Sequence, residues 1–337
     1  MRQFLLTAFL IATLVTAAAC GDARSQRLSA DTSVPTLTGE PALVIAHRGA
    51  SGLYPEHTLA AYEAAIDMGA DFIEPDLVMT RDGVLVARHE RYLSGSTDVA
   101  ERPEFAARRT VKPVGDGERE DWFVEDFTLA ELKSLRARQT REGRPRDHDD
   151  QYTIPTFTEI LGLVAITNQT GQTVGVYPEL KSPGYFKVQG LDPKAALVEA
   201  LEAADLDSVG APVFIQSFEP WVLRELDAET DWPLVQLLPV TTGEVLTPKS
   251  IAEYADGIGP WKQVLMGFEG GPEAYIALAH GNGLAVHPYT FRDDEVGPGF
   301  ETIEDELRAF YDLGVDGVFT DFPDTALAVR DGDAAGE

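Results

Sequence analysis

Short apolar runs alternate with segments of helical periodicity along most of the chain. The runs are rich in β-branched residues and are bounded by Gly, Pro or Asp, a pattern typical of buried parallel strands. They lie at 44–46, 72–78, 84–87, 173–177, 213–216, 234–238, 284–287 and 315–319. The helical segments lie at 58–69, 194–204, 219–228, 272–280 and 303–312. This alternation predicts an α/β fold built from successive βαβ units. A further apolar stretch at 255–258 is a candidate strand that the pattern alone does not place.

The helical segment at 58–69 carries recognisable signals at both ends. Thr58 is a candidate N-cap, because a threonine hydroxyl can accept a free N–H group of the first helical turn. Gly69 is a candidate C-terminal stop, because glycine tolerates the left-handed conformation that ends many helices. We therefore expect a helix between the first two strands.

Polar residues cluster where the first three apolar runs end. His47 follows the first run, Glu74 interrupts the second, and His89 follows the third. Any one of these side chains alone could be a satisfied core or surface group. The segment 47–90, however, groups two histidines, an arginine and two closely spaced carboxylates at strand ends. That grouping makes a phosphodiesterase site the leading hypothesis.

Glu74 and Asp76 are two residues apart, so on a strand their side chains leave the same face. Two carboxylates that point into one opening repel each other unless a cation lies between them. The spacing therefore favours a metal site at this strand end.

Glu179 and Lys181 repeat the same spacing after the run at 173–177. A third carboxylate beside a cationic donor is what a metal-bound phosphate requires. A set of carboxylate oxygens favours a hard cation over zinc, and we expect one divalent ion, Ca²⁺, with Mg²⁺ as the alternative. Taken alone, Glu179 and Lys181 could equally form an ordinary salt bridge at a strand end.

These motifs resemble those of the glycerophosphodiester phosphodiesterase family, particularly the bacterial periplasmic type. The matching segments are HRG at 47–49, PEHT at 55–58, GAD at 69–71, EPDL at 74–77, TRDG at 80–83, RHE at 88–90, YPELK at 177–181, QSF at 216–218, EYADGIGP at 253–260, HPYTFRDD at 287–294 and FTDFPD at 319–324. Two positions depart from the common family pattern. His57 stands where the family usually has Asn, which resembles the periplasmic subgroup, and Glu90 stands where Asp is usual.

The resemblance implies a TIM (β/α)8 barrel at 41–337, a fold in which about 250 residues commonly form one unit. The site residues that it implies are metal ligands at Glu74, Asp76 and Glu179, the catalytic histidines His47 and His89, and the phosphate-binding Arg48 and Lys181. Candidate pocket residues are His57, Phe218, Trp261 and Tyr289.

The implied reaction converts a glycerophosphodiester into glycerol 3-phosphate and an alcohol such as choline, ethanolamine or glycerol. One histidine would take a proton from the attacking oxygen, and the other would protonate the leaving alkoxide. Which histidine is the base stays open at this point. It is also open whether the nucleophile is water or the glycerol hydroxyl of the substrate.

The alternation of strands and helices pauses between residues 91 and 150. Clustered charges, prolines and glycines fill this segment, with one predicted helix at 128–138. When the run at 84–87 is counted as a barrel strand, the segment is an insertion between barrel strands 3 and 4. Because barrel loops of this kind lie over the catalytic face, we expect the insertion to cover the site and shape the alcohol pocket. Tyr92 and Trp122 are the aromatic candidates for lining that pocket.

The amino terminus predicts export from the cytoplasm. Residues 1–19 have a weakly basic start, an apolar stretch and small residues before Cys20, as a secretory signal peptide does. Cys20 is the only cysteine and suits the lipid-modified first residue of a bacterial lipoprotein, although the usual preceding leucine is missing. Residues 20–40 would then form a lipid-anchored or flexible tether. We expect a periplasmic or cell-envelope lipoprotein, with simple secretion as the alternative.

The net charge limits the classes of partner. The chain has 27 basic and 56 acidic residues, a formal charge of −29, which argues against nucleic-acid binding. The expected partner is a small-molecule glycerophosphodiester, and the membrane is expected to matter only through an anchor at Cys20. Because the exterior is acidic, local positive charge from the metal, Arg48 and Lys181 must capture an anionic phosphodiester.

Two other functions compete with this prediction. A related barrel enzyme of the phospholipase D type would act on intact lipids and would need an apolar entrance. A surface lipoprotein could instead retain the barrel as a scaffold for binding a partner. The complete set of histidines, carboxylates and Lys181 favours an active site over the scaffold alternative.

Overall fold

The computed structural model describes residues 35–239 and 246–332. The predicted signal peptide, Cys20 and most of the predicted tether lie outside the described residues. The strands are β1 (Leu43–His47), β2 (Phe72–Glu74), β3 (Asp76–Met79), β4 (Leu85–Ala87), β5 (Thr110–Val114), β6 (Gly117–Asp121), β7 (Gly175–Val176), β8 (Glu179–Leu180), β9 (Ile215–Ser217), β10 (Leu234–Leu238), β11 (Gly257–Pro260), β12 (Ala285–Val286) and β13 (Gly317–Thr320).

Helices follow most of the barrel strands. They are α1 (Leu59–Met68), α2 (Leu129–Leu132), α3 (Phe157–Gln169), α4 (Pro183–Val188), α5 (Pro193–Ala204), α6 (Pro220–Asp227), α7 (Pro248–Ile251), α8 (Lys262–Met266), α9 (Pro272–His280), α10 (Ile303–Asp312) and α11 (Pro323–Asp331). Short 3-10 turns lie at Val99–Glu101, Pro103–Arg108, Val124–Asp126 and Leu206–Val209. In the part of the chain that the structure describes, no helix is long and apolar enough to cross a bilayer.

The strands close into a parallel barrel. Two barrel positions are each formed by a pair of segments, β2 with β3 and β7 with β8, which are interrupted at a proline. The order around the barrel is β1, β2–β3, β7–β8, β9, β10, β11, β12 and β13. β13 pairs in parallel with β1, and a parallel bridge between Phe291 and Thr320 joins the chain after β12 to β13. The predicted α/β barrel is therefore confirmed.

The predicted position of the insertion, between barrel strands 3 and 4, is wrong because one of the strands counted before it is not part of the barrel. β4 runs antiparallel to β3, with Leu77 opposite Ala87, so it forms a hairpin and takes no barrel position. The barrel position is instead filled by β11, which lies between β10 and β12 and includes part of the unplaced stretch at 255–258. The insertion consequently lies between the second and third barrel positions, and not between strands 3 and 4.

Most predicted helices match the structure closely, and α1 shows why. The Thr58 hydroxyl accepts from the backbone N–H of Ala61, and Gly69 ends the helix with a φ of 99°. The helix predicted at 128–138 is wrong beyond its first turn, since α2 ends at Leu132. The backbone N–H of Arg136 donates to the Asp98 carboxylate, and neighbouring Ala137 pairs with Thr97, so other parts of the insertion take these groups.

Two apolar clusters hold the barrel together. The larger one fills the space between the strands and the surrounding helices. The smaller one lies inside the barrel and consists of Ile45, Phe72, Tyr177, Val235 and Phe319. These five side chains fill the interior of the barrel. The polar side chains lie instead at the carboxyl ends of the strands, where active sites of this fold lie.

Candidate active site

A cavity of about 170 Å³ opens where the carboxyl ends of the barrel strands meet. Its polar wall is formed by His47, Arg48, Glu74, Asp76, His89, Glu179, Lys181, Gln216, Thr290 and Arg292. Its apolar wall is formed by Phe218, Leu237, Trp261, Tyr289 and Phe319. The structure thus brings together the predicted site residues except His57, although they are spread over most of the chain.

Three buried carboxylates form a compact group in the polar wall. Oxygens of Glu74, Asp76 and Glu179 all lie within 4.8 Å of one another. Their placement follows from strand register, because Asp76 lies directly opposite Glu179 in the paired strands. The set offers hard oxygen ligands in a buried position, which fits a divalent cation such as Ca²⁺ or Mg²⁺.

The protonation behaviour of the three carboxylates also fits a cation. Burial and then the charges of its two neighbours raise the pKa of Glu74 well above its usual range. Burial likewise raises the pKa of Glu179 to about 8, although Lys181 opposes the shift. Burial would raise the pKa of Asp76 too, but Lys181 and nearby histidines hold it well below its usual range. Three negative charges are therefore unfavourable here without a compensating positive ion.

His57 lies behind the cavity and does not line it, which corrects its prediction as a pocket residue. The ring is fully buried, with Nε2 2.8 Å from the Asp76 carboxylate and Nδ1 2.8 Å from the Tyr62 hydroxyl. Burial lowers the pKa of His57 to about 4, so the ring is neutral at physiological pH. A neutral ring can donate from Nε2 to Asp76 and accept from Tyr62, which fixes the orientation of Asp76.

His47 is held by a carboxylate that directly follows the last barrel strand. Its Nδ1 lies 2.6 Å from Oδ1 of Asp321, and Arg48 Nε donates to its Nε2 at 3.2 Å. Burial, followed by the charge of Arg48, lowers the pKa of His47 to about 3. Asp321 itself is ionised, because His47, Arg292 and Arg144 hold its pKa well below the usual range despite burial. The neutral ring therefore donates from Nδ1 and keeps Nε2 as a proton acceptor.

His89 has a comparable partner in the residue that follows it. Its Nδ1 lies 2.9 Å from the carboxylate of Glu90, and 30% of its side chain is exposed. Burial and the charges of Arg48 and Lys181 lower its pKa. Glu90 thus contacts the second histidine from the position where the family usually has Asp.

A third basic side chain lines the cavity in addition to the predicted Arg48 and Lys181. Arg48 lies 2.9 Å from Glu56 and 3.3 Å from Asp76, while Lys181 lies 3.0 Å from Glu179. Arg292 also lines the cavity, with its Nε 2.8 Å from Asp321. Three basic side chains therefore face the cavity beside the carboxylates and can contact an anionic group.

The three predicted aromatic pocket residues lie on the apolar wall. Phe218 follows β9, Trp261 follows β11, and Tyr289 follows β12. The rings of Phe218 and Tyr289 meet edge to face with centroids 6.1 Å apart, and the Tyr289 hydroxyl donates to the Leu238 carbonyl. These rings give the cavity an apolar surface, and the Lys181 amine lies 5.7 Å from the Phe218 ring centroid.

The insertion does not line the cavity among the residues that the structure describes, contrary to expectation. Tyr92 packs against Arg119, whose guanidinium lies 3.8 Å from the ring centroid. Trp122 donates from Nε1 to the Phe105 carbonyl within the insertion. Both aromatic side chains therefore make these contacts within the insertion, and Trp122 belongs to the same large apolar cluster as the barrel.

Sequence reasoning assigned no role to several charged residues around the site. Asp321 and Arg292 lie inside the matched segments FTDFPD and HPYTFRDD, so the sequence signal that could have identified these two residues was present. The missing information was which carboxylate holds which histidine, since His47 and Asp321 are 274 positions apart. Closure of the barrel between β13 and β1 brings them together.

Comparisons with known proteins agree with this geometry. The model of the glycerophosphoryl diester phosphodiesterase family matches residues 47–325. Glycerophosphodiester phosphodiesterase GDPD6 of Arabidopsis thaliana is 35% identical over 95% of this chain and 94% of its own length. The glycerophosphodiester phosphodiesterase of Haemophilus influenzae is 32% identical over 85% of this chain and 88% of its own.

The fold is also shared with solved structures. The structure of an Oleispira antarctica phosphodiesterase in complex with the product sn-glycerol-3-phosphate matches with a TM-score of 0.62 and 23% identity. The match covers 88% of this chain and 99% of that one. At this level of identity the likeness shows a common α/β barrel.

Proposed function

The chain belongs to the glycerophosphoryl diester phosphodiesterase family, and from that premise we propose that it hydrolyses glycerophosphodiesters with the help of a divalent cation. It is an enzyme of the glycerophosphodiester phosphodiesterase class, as the relatives at 35% and 32% identity over most of the chain show. The observation that carries the metal-dependent mechanism is the buried group of Glu74, Asp76 and Glu179 beside two carboxylate-held histidines.

The proposed products are glycerol 3-phosphate and an alcohol such as choline, ethanolamine or glycerol. The Oleispira protein holds sn-glycerol-3-phosphate as its product, which supports this choice. The aromatic wall gives the alcohol or the glycerol backbone a surface to pack against. We assign the enzyme to the recovery of glycerol and phosphate from phospholipid fragments.

The charged residues of the cavity would divide the chemistry among them. Glu74, Asp76 and Glu179 would hold the cation, Ca²⁺ or alternatively Mg²⁺, whose chemistry when bound is neutralisation of charge on the phosphate oxygens. Arg48 and Lys181 would donate to the same oxygens and stabilise the charge that develops in the transition state.

His47 and His89 would move the protons. Each ring is held at Nδ1 by a carboxylate, so Nε2 is the nitrogen that would meet the substrate; on His47 the substrate would take the place of the Arg48 Nε–H, which lies 3.2 Å from Nε2. One ring, neutral at the start, would take the proton of the attacking oxygen on its Nε2. The other ring, starting with a proton on both nitrogens, would give its Nε2 proton to the leaving alkoxide. If the glycerol hydroxyl is the nucleophile, rapid quenching should trap a cyclic glycerol phosphate, whereas attack by water produces none.

We also propose that the protein acts outside the cytoplasm, as a periplasmic or cell-envelope lipoprotein of the periplasmic type. The support is the leader composition at 1–19 and the lone Cys20. Labelling cells with a fatty-acid analogue tests the anchor, with Cys20→Ala as the control. Label on the wild-type protein alone supports a lipoprotein, and export without label supports simple secretion.

The decisive experiment measures release of glycerol 3-phosphate from glycerophosphocholine. We expect turnover with Ca²⁺ or Mg²⁺, loss with chelator, and recovery when the ion is restored. His47→Ala and His89→Ala should each lower kcat by about 10²–10⁴-fold without loss of fold, because each removes a proton-transfer group. No turnover with either metal would contradict the proposal. Faster release of choline from lysophosphatidylcholine would favour an enzyme of the phospholipase D type.

A further inference from the structure

One arm of the insertion packs against the loops that carry the active site. The arm comprises residues 137–152, and its Gln139 side chain donates to the carbonyls of Ser51 and Tyr54 in the loop after β1. The ring of His148 stacks on Tyr54 with centroids 4.3 Å apart. The arm therefore lies behind the wall of the cavity, next to the chain that follows His47.

Arg144 is a buried residue of this arm. It is 7% exposed, and its guanidinium makes contacts on three sides. Nε and Nη2 donate to Asp294 at 2.6 and 3.0 Å, and Nη1 donates to the Ser51 carbonyl at 3.1 Å. Nη2 also donates to Oδ2 of Asp321 at 2.7 Å. A buried arginine thus bridges the insertion and the carboxylate that holds His47.

Asp321 divides its two oxygens between different partners. Oδ2 accepts from Arg144 and from Arg292 at 2.7 and 2.8 Å, while Oδ1 faces His47 Nδ1 at 2.6 Å. Two guanidinium groups on one oxygen fix the plane of the carboxylate, because arginine donors are arranged in a rigid fork. That leaves Oδ1 directed at the histidine.

We propose that Arg144 is a positioning residue for His47 and acts through Asp321. The insertion would then hold the ring orientation of the proton-transferring histidine through Asp321, without contacting the substrate. The kinetic part of this inference rests on the proposed function. Without Arg144, Asp321 keeps one arginine on Oδ2 and gains freedom to turn, so His47 loses its fixed ring orientation.

The same arm makes a second contact of this kind. The hydroxyl of Thr140 donates to Oε2 of Glu56 at 3.2 Å, and the same oxygen accepts from Arg48 at 2.9 Å. Thr140→Val removes that donor at nearly constant volume. Because Arg48 would contact the phosphate in the bound substrate and in the transition state, we expect this variant to lower kcat/KM by several fold.

The test compares Arg144→Ala and Arg144→Lys with the matched control Arg146→Ala. Arg146 lies on the same arm, is 56% exposed on its side chain and pairs with Asp149. Arg144→Ala should lower kcat about tenfold or more, with KM within twofold and a shifted pH profile. Lysine keeps the charge but cannot bridge both carboxylates, so Arg144→Lys should be intermediate. Added guanidinium ion should partly restore Arg144→Ala. A kcat for Arg144→Ala within twofold of the control overturns the inference.

A measurement without turnover separates this inference from the proposed function. The Nδ1 proton of His47, bonded to Asp321, should give a downfield NMR signal that disappears in His47→Asn. We expect that signal to shift or broaden in Arg144→Lys, and in Arg144→Ala if that variant folds. It should stay unchanged in Arg146→Ala. An unchanged signal in a folded Arg144 variant overturns the positioning role, even if the wild-type protein hydrolyses no tested phosphodiester.

Discussion

His57 acts on the metal site from a position that substrate does not reach. The neutral ring donates to Asp76 on one side and accepts from Tyr62 on the other, so both nitrogens have a defined role. Such contacts fix the orientation of a metal-binding carboxylate and keep it ionised. The residue that departs from the family pattern in PEHT is therefore a structural support of the site.

We predict that His57→Leu weakens Ca²⁺ binding about 10–100-fold, the usual cost of losing a group that supports a metal ligand. Asp76 would lose its Nε2–H donor and its fixed orientation. Calorimetric titration of the chelator-treated protein with Ca²⁺ measures the effect. His280→Asn is the matched control, since His280 pairs with Asp316, just before β13, and is not a member of the buried carboxylate group found among the described residues. A dissociation constant for His57→Leu within threefold of wild type would contradict the prediction.

Local spacing predicts which side chains share a face, but not which distant residues hold them. Glu74 with Asp76, and Glu179 with Lys181, could be grouped from their two-residue spacing because strand geometry repeats every two residues. Asp321 could not be paired with His47 in this way. That contact depends on the register between the last and first strands, which no local pattern encodes.

At the scale of the element, β4 shows how a correctly identified strand can be given the wrong place. Its apolar run predicts a strand, and the structure has one. Only residues 80–84 connect β3 to β4, whereas a parallel neighbour needs a crossover of about a dozen residues or more. The backbone N–H of Gly83 donates to the Thr80 carbonyl, and φ at Gly83 is 81°, so a tight turn reverses the chain. Connection length was the signal that could have assigned this hairpin.

Phe218 and Trp261, which directly follow β9 and β11, are part of the apolar wall, and Phe218 provides a prediction about substrate choice. Phe218→Ala removes a ring that meets Tyr289 edge to face and lies 5.7 Å from the Lys181 amine. We expect KM for glycerophosphocholine to rise about fivefold to thirtyfold, with a smaller change in kcat, because lost ring contacts cost about 1–2 kcal/mol. Steady-state kinetics with several glycerophosphodiesters measures this effect.

Phe268→Ala is the matched control for that variant. Phe268 lies beyond α8, packs on Tyr275 and is 36% exposed. Its removal should leave KM unchanged for every alcohol. Equal effects of Phe218→Ala and Phe268→Ala would show that the aromatic wall does not contact the bound substrate.

At the scale of the whole molecule, the alternation of strands and helices was enough to predict the fold class but not the path of the insertion. Residues 91–150 contain 12 of the 27 basic residues of the chain, many of them paired with acidic residues nearby. Arg91 with Glu125 and Arg108 with Glu131 are two such pairs. Their partners depend on the tertiary arrangement of irregular chain, so periodicity had no information about them. The insertion packs against the β3–β4 connection, and its arm contacts the loops around the site.

Buried histidines make the stability of the fold depend on pH, and substitution of His287 tests this dependence directly. The ring is 1% exposed, and Nδ1 lies 3.0 Å from the Tyr177 hydroxyl. Burial lowers the pKa of His287 to about 4, against an ordinary value of 6.5. The folded state therefore binds the proton less readily than the unfolded state does. Stability is unaffected by this group above pH 6.5 and falls as the pH drops from 6.5 towards 4, by about 3 kcal/mol in full.

We predict that His287→Gln reduces this loss. Urea unfolding in chelator at pH 7.5 and 4.5 measures the free energy of unfolding of both proteins. At pH 7.5 the His287 ring of the wild type and the glutamine of the variant are both neutral, so the difference between the two proteins reports only altered packing and the contact with Tyr177. Between pH 7.5 and 4.5 that difference should move in favour of the variant by about 2–3 kcal/mol, because glutamine takes up no proton in the unfolded state. An offset that stays constant across this range would mean that burial of His287 does not set the acid stability of the barrel.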